Sequence, residues 1–477
     1  MARLLLLLLL LVAVDMAFTW PAAAHERQRN AITHIKGFEG PLPFYLETGY
    51  VEVDDTHGAE LFYYFIQSER SPREDPLILW ITGGPGCSAL AGLVYEIGPL
   101  RFDVAGYTEG LFPRLVYFED SWTKVSNIIL VDAPMGTGFS YAREEQGLNV
   151  SLTGTGAQLR VFLEKWLSDH PEFASNPLYI AGDSYSGYTV PVTALEIANH
   201  NDVDRASGGG LIRLNLQGYL VGNPSTDDKY DKWGKVPFSR GMGLISDELY
   251  EAAQDSCSGD DYVTPSNARC ANALEDIHQV TGVVAGINPM HVLEPLCVFA
   301  LRERDPAAGG DTIFTKTSRL LLQDNLHQQH CRFNDYRLSY VWADDAEVRK
   351  TLGIHDGSIG NWSRCALLWH YRHDVRSTIR HHANLTRRGY RALVYNGDHD
   401  LEVTFVGTQA WIRTLGYPVV APWRPWHSNG QAAGYTMEYA YNLTYATVKG
   451  AGHTAAEYRP KECLDMLRRW TSPAGKL

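Results

Sequence analysis

The chain of 477 residues has no excess of positive charge: 42 Lys and Arg stand against 55 Asp and Glu, a formal net charge of −13. Nucleic acids and anionic membranes both need a basic face, so this balance argues against either as a partner. Long apolar runs are missing beyond the N-terminus, which leaves no candidate transmembrane helix. Internal repeats and low-complexity tracts are also missing. The glycine-rich stretch "WITGGPGCSAL" (80–90) fits neither GXXXXGK[ST] nor GXGXXG, so it is not read as a phosphate or dinucleotide cradle. The histidines at 370–382 and the string "GDHD" (397–400) follow no zinc spacing. The histidine cluster reads as a solvated basic face, and neither a metal nor a cofactor is expected.

Cysteine is scarce, with seven in all, and its meaning depends on compartment. The N-terminus supplies that context. An early arginine, the apolar run Leu4–Val14 and a small-residue stretch form a secretory signal peptide, with cleavage expected near Ala24. The mature chain, 25–477, is then exposed to oxidising conditions in which most cysteines pair. Seven is odd, so at least one stays free, and six paired cysteines would allow 15 connectivities. The short spacing of Cys257 and Cys270 suggests a local clip. Asn-X-Ser/Thr sequons at Asn149, Asn361, Asn384 and Asn442 become candidate glycosylation sites, and the destination is the vacuole or the extracellular space.

"ELFYYFIQS", "PLILWI", "NIILVDAP" and "LQGYLVGNP" read as strands buried on both faces of a sheet. Helical spacing of Leu159, Phe162, Leu163, Trp166 and Leu167 predicts a helix that stops at His170-Pro171. Alternating strand and helix predicts an α/β domain with a mostly parallel sheet. From about 227 to 340 the chain turns polar and helical. This segment is expected to be an insertion within one domain, with "RERDPAAGGDTIFTKTS" (302–318) as an exposed loop open to proteolytic nicking. Strands return at "RALVYNGDHD" and "LTYATVKGAGH".

"IAGDSYSG" places Ser184 at a strand-to-helix turn, the setting of a nucleophile elbow. The match to Gly-X-Ser-X-Gly is imperfect, because Ser186 occupies the fifth position and glycine follows at 187. A nucleophilic serine needs a base and a group that orients it. Asp398 and His453 follow in the order Ser, Asp, His that α/β hydrolases use, each just past an apolar strand. Taken singly they are an ordinary turn aspartate and an ordinary surface histidine; the ordered set favours a triad. Asp400 and His399 are the alternative acid and base. Acyl transfer also needs N–H donors aimed at the developing oxyanion. The N–H of Tyr185 is one, and the "TGGPG" loop stands where the second belongs.

Taken together, "WITGGPGCSAL", "YEIGPL", "SWTKVSNIILVDAPMGTGFSYA", "HPEF", "LYIAGDSYSGYTVP", "GYLVGNP", "YNGDHD" and "GAGHTAAEYRP" resemble the plant serine carboxypeptidase-like family over nearly the whole mature chain. The resemblance implies an α/β-hydrolase fold with a helical, disulfide-containing insertion. It implies Ser184, Asp398 and His453 as triad and the N–H groups of Gly84 and Tyr185 as oxyanion hole. Disulfides Cys87–Cys365, Cys257–Cys270 and Cys297–Cys331 are likewise implied, with Cys463 free. Some members are cut in the insertion into two disulfide-linked chains.

Two departures bear on substrate. Peptidases of the family carry asparagine where this chain has Thr82 and glutamate where it has Asp183. There the two residues, with a glutamate matching Glu96 and next to the position of Gly83, hold the peptide's C-terminal carboxylate. Losing a donor fitted to a charged group costs about 1.5–3 kcal/mol. "TGGPGCSA" with "GDSYSG" resembles the family's acyltransferases. Those move an acyl group from a 1-O-glucose ester to a small-molecule acceptor through an acyl-serine. The alternative is an acid serine carboxypeptidase. A catalytically inert binding protein is the third possibility.

Overall fold

The computed structural model describes residues 29–207, 213–296, 332–472 and 474–477. The expected signal segment, the 302–318 loop, Cys297 and Cys331 lie outside them.

Twelve strands form one sheet. Across it run β1 (Asn30–Ile32), β2 (Leu46–Asp54), β3 (Ala59–Ile66), β7 (Asn127–Val131), β4 (Leu77–Ile81), β9 (Leu178–Asp183), β10 (Leu216–Gly222), β11 (Arg391–Gly397), β14 (Leu443–Val448), β13 (Gln431–Tyr439) and β12 (Val419–Ser428). The short β8 (Tyr141–Ala142) pairs with β3. A separate ribbon joins β5 (Leu100–Phe102) to β6 (Leu115–Tyr117). The six central strands, β7 to β14 in spatial order, are parallel. Both flanks are antiparallel.

The apolar runs are continuous because each central strand feeds two cores. Ile78 and Trp80 of β4 pack into one face, while Leu77, Leu79 and Ile81 pack into the other. β7 divides the same way, with Ile128 and Leu130 opposite Ile129 and Val131. This period of two, buried on both sides, is what a parallel sheet covered by helices requires. One cover is the helix Leu152–Asp169, which buries Leu159, Phe162, Leu163, Trp166 and Leu167 and is capped by Ser151, whose side chain accepts from Gly154 N. The helix gives way at His170, ahead of Pro171. Together the mixed sheet and flanking helices make an α/β-hydrolase-like fold.

Between β10 and β11 the described residues add no strand to the sheet. Asp227 caps the helix Asp228–Gly241 through Lys229 N. Helices Asp247–Ser256 and Ala268–Thr281 follow, tied by the disulfide Cys257–Cys270. Val236, Ile245, Ala253, Ala273 and Ile277 give them a small core of their own. Cys87 pairs with Cys365, and Cys463 is free and buried. Among the described residues no helix is long and apolar enough to cross a membrane. The four sequon asparagines, 149, 361, 384 and 442, are all exposed.

The loops at the carboxyl edge are locked by Asp132, which follows β7 and is fully buried. Its carboxylate accepts from Ser88 Oγ (2.8 Å), Ala89 N (2.7 Å) and Phe139 N (2.8 Å). Burial nevertheless pushes its pKa up to about 6, against the pull of those donors. Replacing it leaves buried donors unmatched, each worth about 1–3 kcal/mol. Asp132→Ala should therefore lower the unfolding free energy by about 2–4 kcal/mol in urea denaturation, with little change in m-value.

Candidate active site

Carboxyl ends of adjacent parallel strands converge on one serine. Ser184 follows β9 directly and has φ 56°, a left-handed conformation that costs a non-glycine residue about 1–3 kcal/mol. The turn is clamped: Ser184 N donates to Gly222 O (2.9 Å), and Ser184 O accepts from Gly187 N (2.9 Å) and Ser225 N (3.0 Å). A Cβ at position 187 would meet Ser225 O at 2.3 Å, so the elbow needs its glycine there. Ser186, the departure from Gly-X-Ser-X-Gly, is accommodated because its buried hydroxyl donates to Ile81 O at 2.8 Å.

His453, in the loop after β14, places Nε2 2.7 Å from Ser184 Oγ. Its Nδ1 lies 2.8 Å from Asp400 Oδ2. This corrects the acid: the carboxylate under the imidazole is Asp400, not Asp398. Asp398 N donates to Val448 O (3.2 Å), and its carboxylate accepts from Gly450 N (2.7 Å) and lies 2.5 Å from His399 Nδ1. It therefore braces the loop that leads to His453 and does not face that imidazole. Asp400, two residues on, is fully buried and accepts from Asn223 Nδ2 (2.7 Å), Glu402 N (2.8 Å) and Val403 N (3.2 Å). Both aspartates belong to "GDHD" just past β11, and no local signal separates them. Asn223, which sequence reading missed, carries positive φ (42°) at the end of β10.

Burial opposes a charged His453 ring, but the neighbouring Asp400 carboxylate outweighs it, helped by Glu402 and Asp183, and lifts the pKa to about 9. A group so oriented can take the serine proton and hold the resulting imidazolium against a buried carboxylate.

Facing Ser184 is the loop after β4. A Cβ on Gly83 would meet Ser184 Cβ at 2.6 Å, so only glycine lets the loop come this close. Gly84 has φ +119°, a conformation that favours glycine. Among the described residues neither Gly84 N nor Tyr185 N donates a hydrogen bond, which leaves both free for an oxygen bound at Ser184.

Thr82, Glu96 and Asp183 are buried beside this loop. Glu96 Oε2 accepts from Trp80 Nε1 (3.0 Å) and, at the long distance of 3.5 Å, from Thr82 Oγ1. Asp183 Oδ1 accepts from Gly83 N at 3.2 Å. Burial raises both carboxyls, Asp183 to about 6 and Glu96 well above the usual range; Asp183 and Glu457 push Glu96 further up, and Glu457 does the same to Asp183. The half-buried Arg364 offsets part of this.

The histidine cluster is a solvated basic face only in part: His370, Arg372, His373, Arg376 and Arg380 are exposed, and His381 is partly buried. His382 is fully buried, with Nδ1 2.7 Å from the Tyr219 hydroxyl. His373 Nδ1 lies 2.5 Å from the Tyr185 hydroxyl. The described residues contain no group of three or more His, Cys, Asp or Glu able to hold a metal.

A family model described as serine carboxypeptidase matches residues 37–473. The chain is 44% identical to Serine carboxypeptidase-like 2 of Arabidopsis thaliana, over 94% of this chain and 93% of that protein. It is 44% identical to Serine carboxypeptidase-like 1 of the same plant, covering 97% and 96%. Among solved structures it is similar to Kex1Δp, a prohormone-processing carboxypeptidase from Saccharomyces cerevisiae, with TM-score 0.69, 21% identity, and 91% and 93% of the two chains covered. At that identity the likeness shows the fold alone.

Two outcomes follow from this geometry. Asp400→Asn should lower the rate of Ser184 acylation by about 10³–10⁴-fold, since an amide neither fixes the His453 tautomer nor stabilises its cation; Asp398→Asn should cost far less. Stopped-flow acylation of both variants by an activated ester checks this, and equal losses would contradict it. The second concerns Asp183. Its native pKa lies above the unfolded value of 3.8, so ionisation costs native stability, a penalty that is absent below about pH 4, grows between 3.8 and about 6, and is complete above that. Asp183→Asn should therefore raise Tm more at pH 7 than at pH 4 in calorimetric scans.

Proposed function

The chain belongs to the serine carboxypeptidase family, and on that premise we propose that it is an acyltransferase taking its acyl group from a 1-O-glucose ester. The observation that carries this reading is the pair Thr82 and Asp183. In the family's peptidases these positions hold asparagine and glutamate, which grip a peptide's terminal carboxylate. Here the Thr82 hydroxyl points at Glu96 at 3.5 Å, and Asp183 is engaged with Gly83 N. The short side chains leave a weaker grip on a charged end group and remove nothing that a neutral sugar ester needs.

In the proposed reaction Ser184 Oγ attacks the ester carbonyl while its proton passes to His453 Nε2. The N–H groups of Gly84 and Tyr185 hold the resulting oxyanion. Collapse breaks the ester C–O bond, His453 returns the proton to the sugar oxygen, and glucose leaves. An acceptor hydroxyl then attacks the acyl-serine, His453 takes its proton, and collapse releases the new ester and re-protonates Ser184. Transfer rather than hydrolysis depends on acceptor binding and exclusion of water. We further propose that the chain enters the secretory pathway with glycans on the four exposed sequon asparagines, that Cys297 pairs with Cys331, and that the 302–318 loop can be cut.

A second reading, an acid serine carboxypeptidase, draws on the raised pKa values of Asp183 and Glu96. Protonated carboxyls can donate to a peptide carboxylate at acid pH.

Incubation with 1-O-acylglucoses plus alcohol acceptors, and separately with N-blocked dipeptides, divides the two. The first reading predicts acyl transfer, with C-terminal residue release about 10- to 100-fold below that of Thr82→Asn/Asp183→Glu. Ser184→Ala should retain the fold and lose both activities. Rapid dipeptide cleavage without acyl transfer would overturn the first reading in favour of the second.

A further inference from the structure

The two candidate oxyanion donors come from distant parts of the chain, Gly84 from the loop after β4 and Tyr185 from the elbow after β9. One oxygen can accept from both only if their separation is fixed to a fraction of an ångström. Residues 364–378 cross the carboxyl edge of the sheet and touch both donor segments. At one end Cys365 is bonded to Cys87, Ser88 N donates to Arg364 O (2.7 Å) and Ala366 N donates to Gly86 O (2.8 Å). At the other, Thr378 Oγ1 donates to Gly187 O (2.9 Å) and Thr378 N to Thr226 O (3.0 Å). Between them the strap is pinned to the start of the helix Leu152–Asp169, where Arg372 N donates to Val150 O and Leu152 N to Arg372 O, each at 3.0 Å.

From the middle of this strap two side chains reach Tyr185. Its hydroxyl lies 2.5 Å from His373 Nδ1 and 3.3 Å from the Tyr371 hydroxyl. The His373 ring also stands edge-on to buried Tyr188 at 4.6 Å, so it is held on two sides. Tyr185 thus enters the site twice, with its N–H beside Ser184 and its hydroxyl on the strap.

We propose that His373 and Tyr371 are positioning residues for the Tyr185 N–H, and that the strap carrying them, stapled to the Gly84 loop through Cys87–Cys365, sets the spacing of the oxyanion hole. Without the hydroxyl anchor the Tyr185 side chain can swing, and the peptide that carries the donor relaxes with it. Misplacement on this scale costs catalysis and not binding. The inference rests on Ser184 acting as nucleophile, but not on the identity of the acyl donor.

The test uses the full chain and an alkyl fluorophosphonate, whose tetrahedral adduct with Ser184 needs the same donors. Saturation of the labelling rate separates kinact from KI. Tyr185→Phe and His373→Ala should each lower kinact about tenfold with KI within about twofold of wild type. The double variant should fall no lower than either single one, because both break the same link. His373→Asn, which keeps a polar atom near the Nδ1 position, should recover most of the rate. Unchanged kinact, losses that multiply in the double variant, or a His373→Asn defect equal to that of His373→Ala would overturn the brace while leaving the nucleophile reading intact. No labelling of the wild type would overturn both.

Discussion

The left-handed backbone at Ser184 is the constraint on which the rest of the site depends. A serine at φ 56° is unfavourable on its own, and this one is held by hydrogen bonds from three directions: β10 through Gly222, the following helix through Gly187, and the post-β10 loop through Ser225. Gly222 and Ser225 are within reach because β9 lies beside β10 in parallel register, and Gly187 closes the turn locally. The strain lifts the hydroxyl above the sheet edge, where the loops after β4, β11 and β14 can reach it. Gly83 and Gly187 are glycines because the elbow passes too close for a Cβ. The fold therefore supplies position, and the chemistry is left to a few side chains at strand ends.

Much of this was legible in the sequence, for a physical reason. Strands buried on both faces must be apolar throughout, so β4, β7 and β10 announce themselves, and the elbow follows from a small-residue turn between strand and helix. The antiparallel flanks were less visible. β12 contains Pro422 and Pro425 and is largely exposed, as an edge strand can be, and so lacks the alternation that marks a half-buried strand. The ambiguity between Asp398 and Asp400 has a different origin. One- and three-residue offsets from the same strand are equally plausible until the turn is seen, and only the partners of each carboxylate, Gly450 N against Asn223 and the backbone of 402–403, decide which one meets His453. Charge-rich spacing does not reveal burial, which is why the solvated reading fails at His382, fully buried against Tyr219 and Trp411, and holds for the exposed His373.

The buried acidic group beside Ser184 is where the proposed substrate choice would be made. Asp183 and Glu96 are both buried, and their raised pKa values follow first from burial, with Asp183 and Glu457 adding to Glu96 and Glu457 adding to Asp183. A site that keeps carboxyls partly neutral can tolerate neutral, hydroxyl-rich ligands as readily as an anion. In the acyltransferase we propose, Thr82, shorter than the asparagine of the family's peptidases, favours the neutral ligand. The family relationship places the chain among the serine carboxypeptidases; the acyl donor is the part we propose from these residues.

Direct observation of the acyl-enzyme tests this account most closely. Intact-protein mass spectrometry after rapid mixing with a 1-O-acylglucose should show one acyl adduct on Ser184, persisting in water and discharged at least about tenfold faster once an acceptor alcohol is added. An adduct that forms from the glucose ester but decays at the same rate with and without acceptor would contradict the transfer reading, as would the failure of any adduct to form on Ser184.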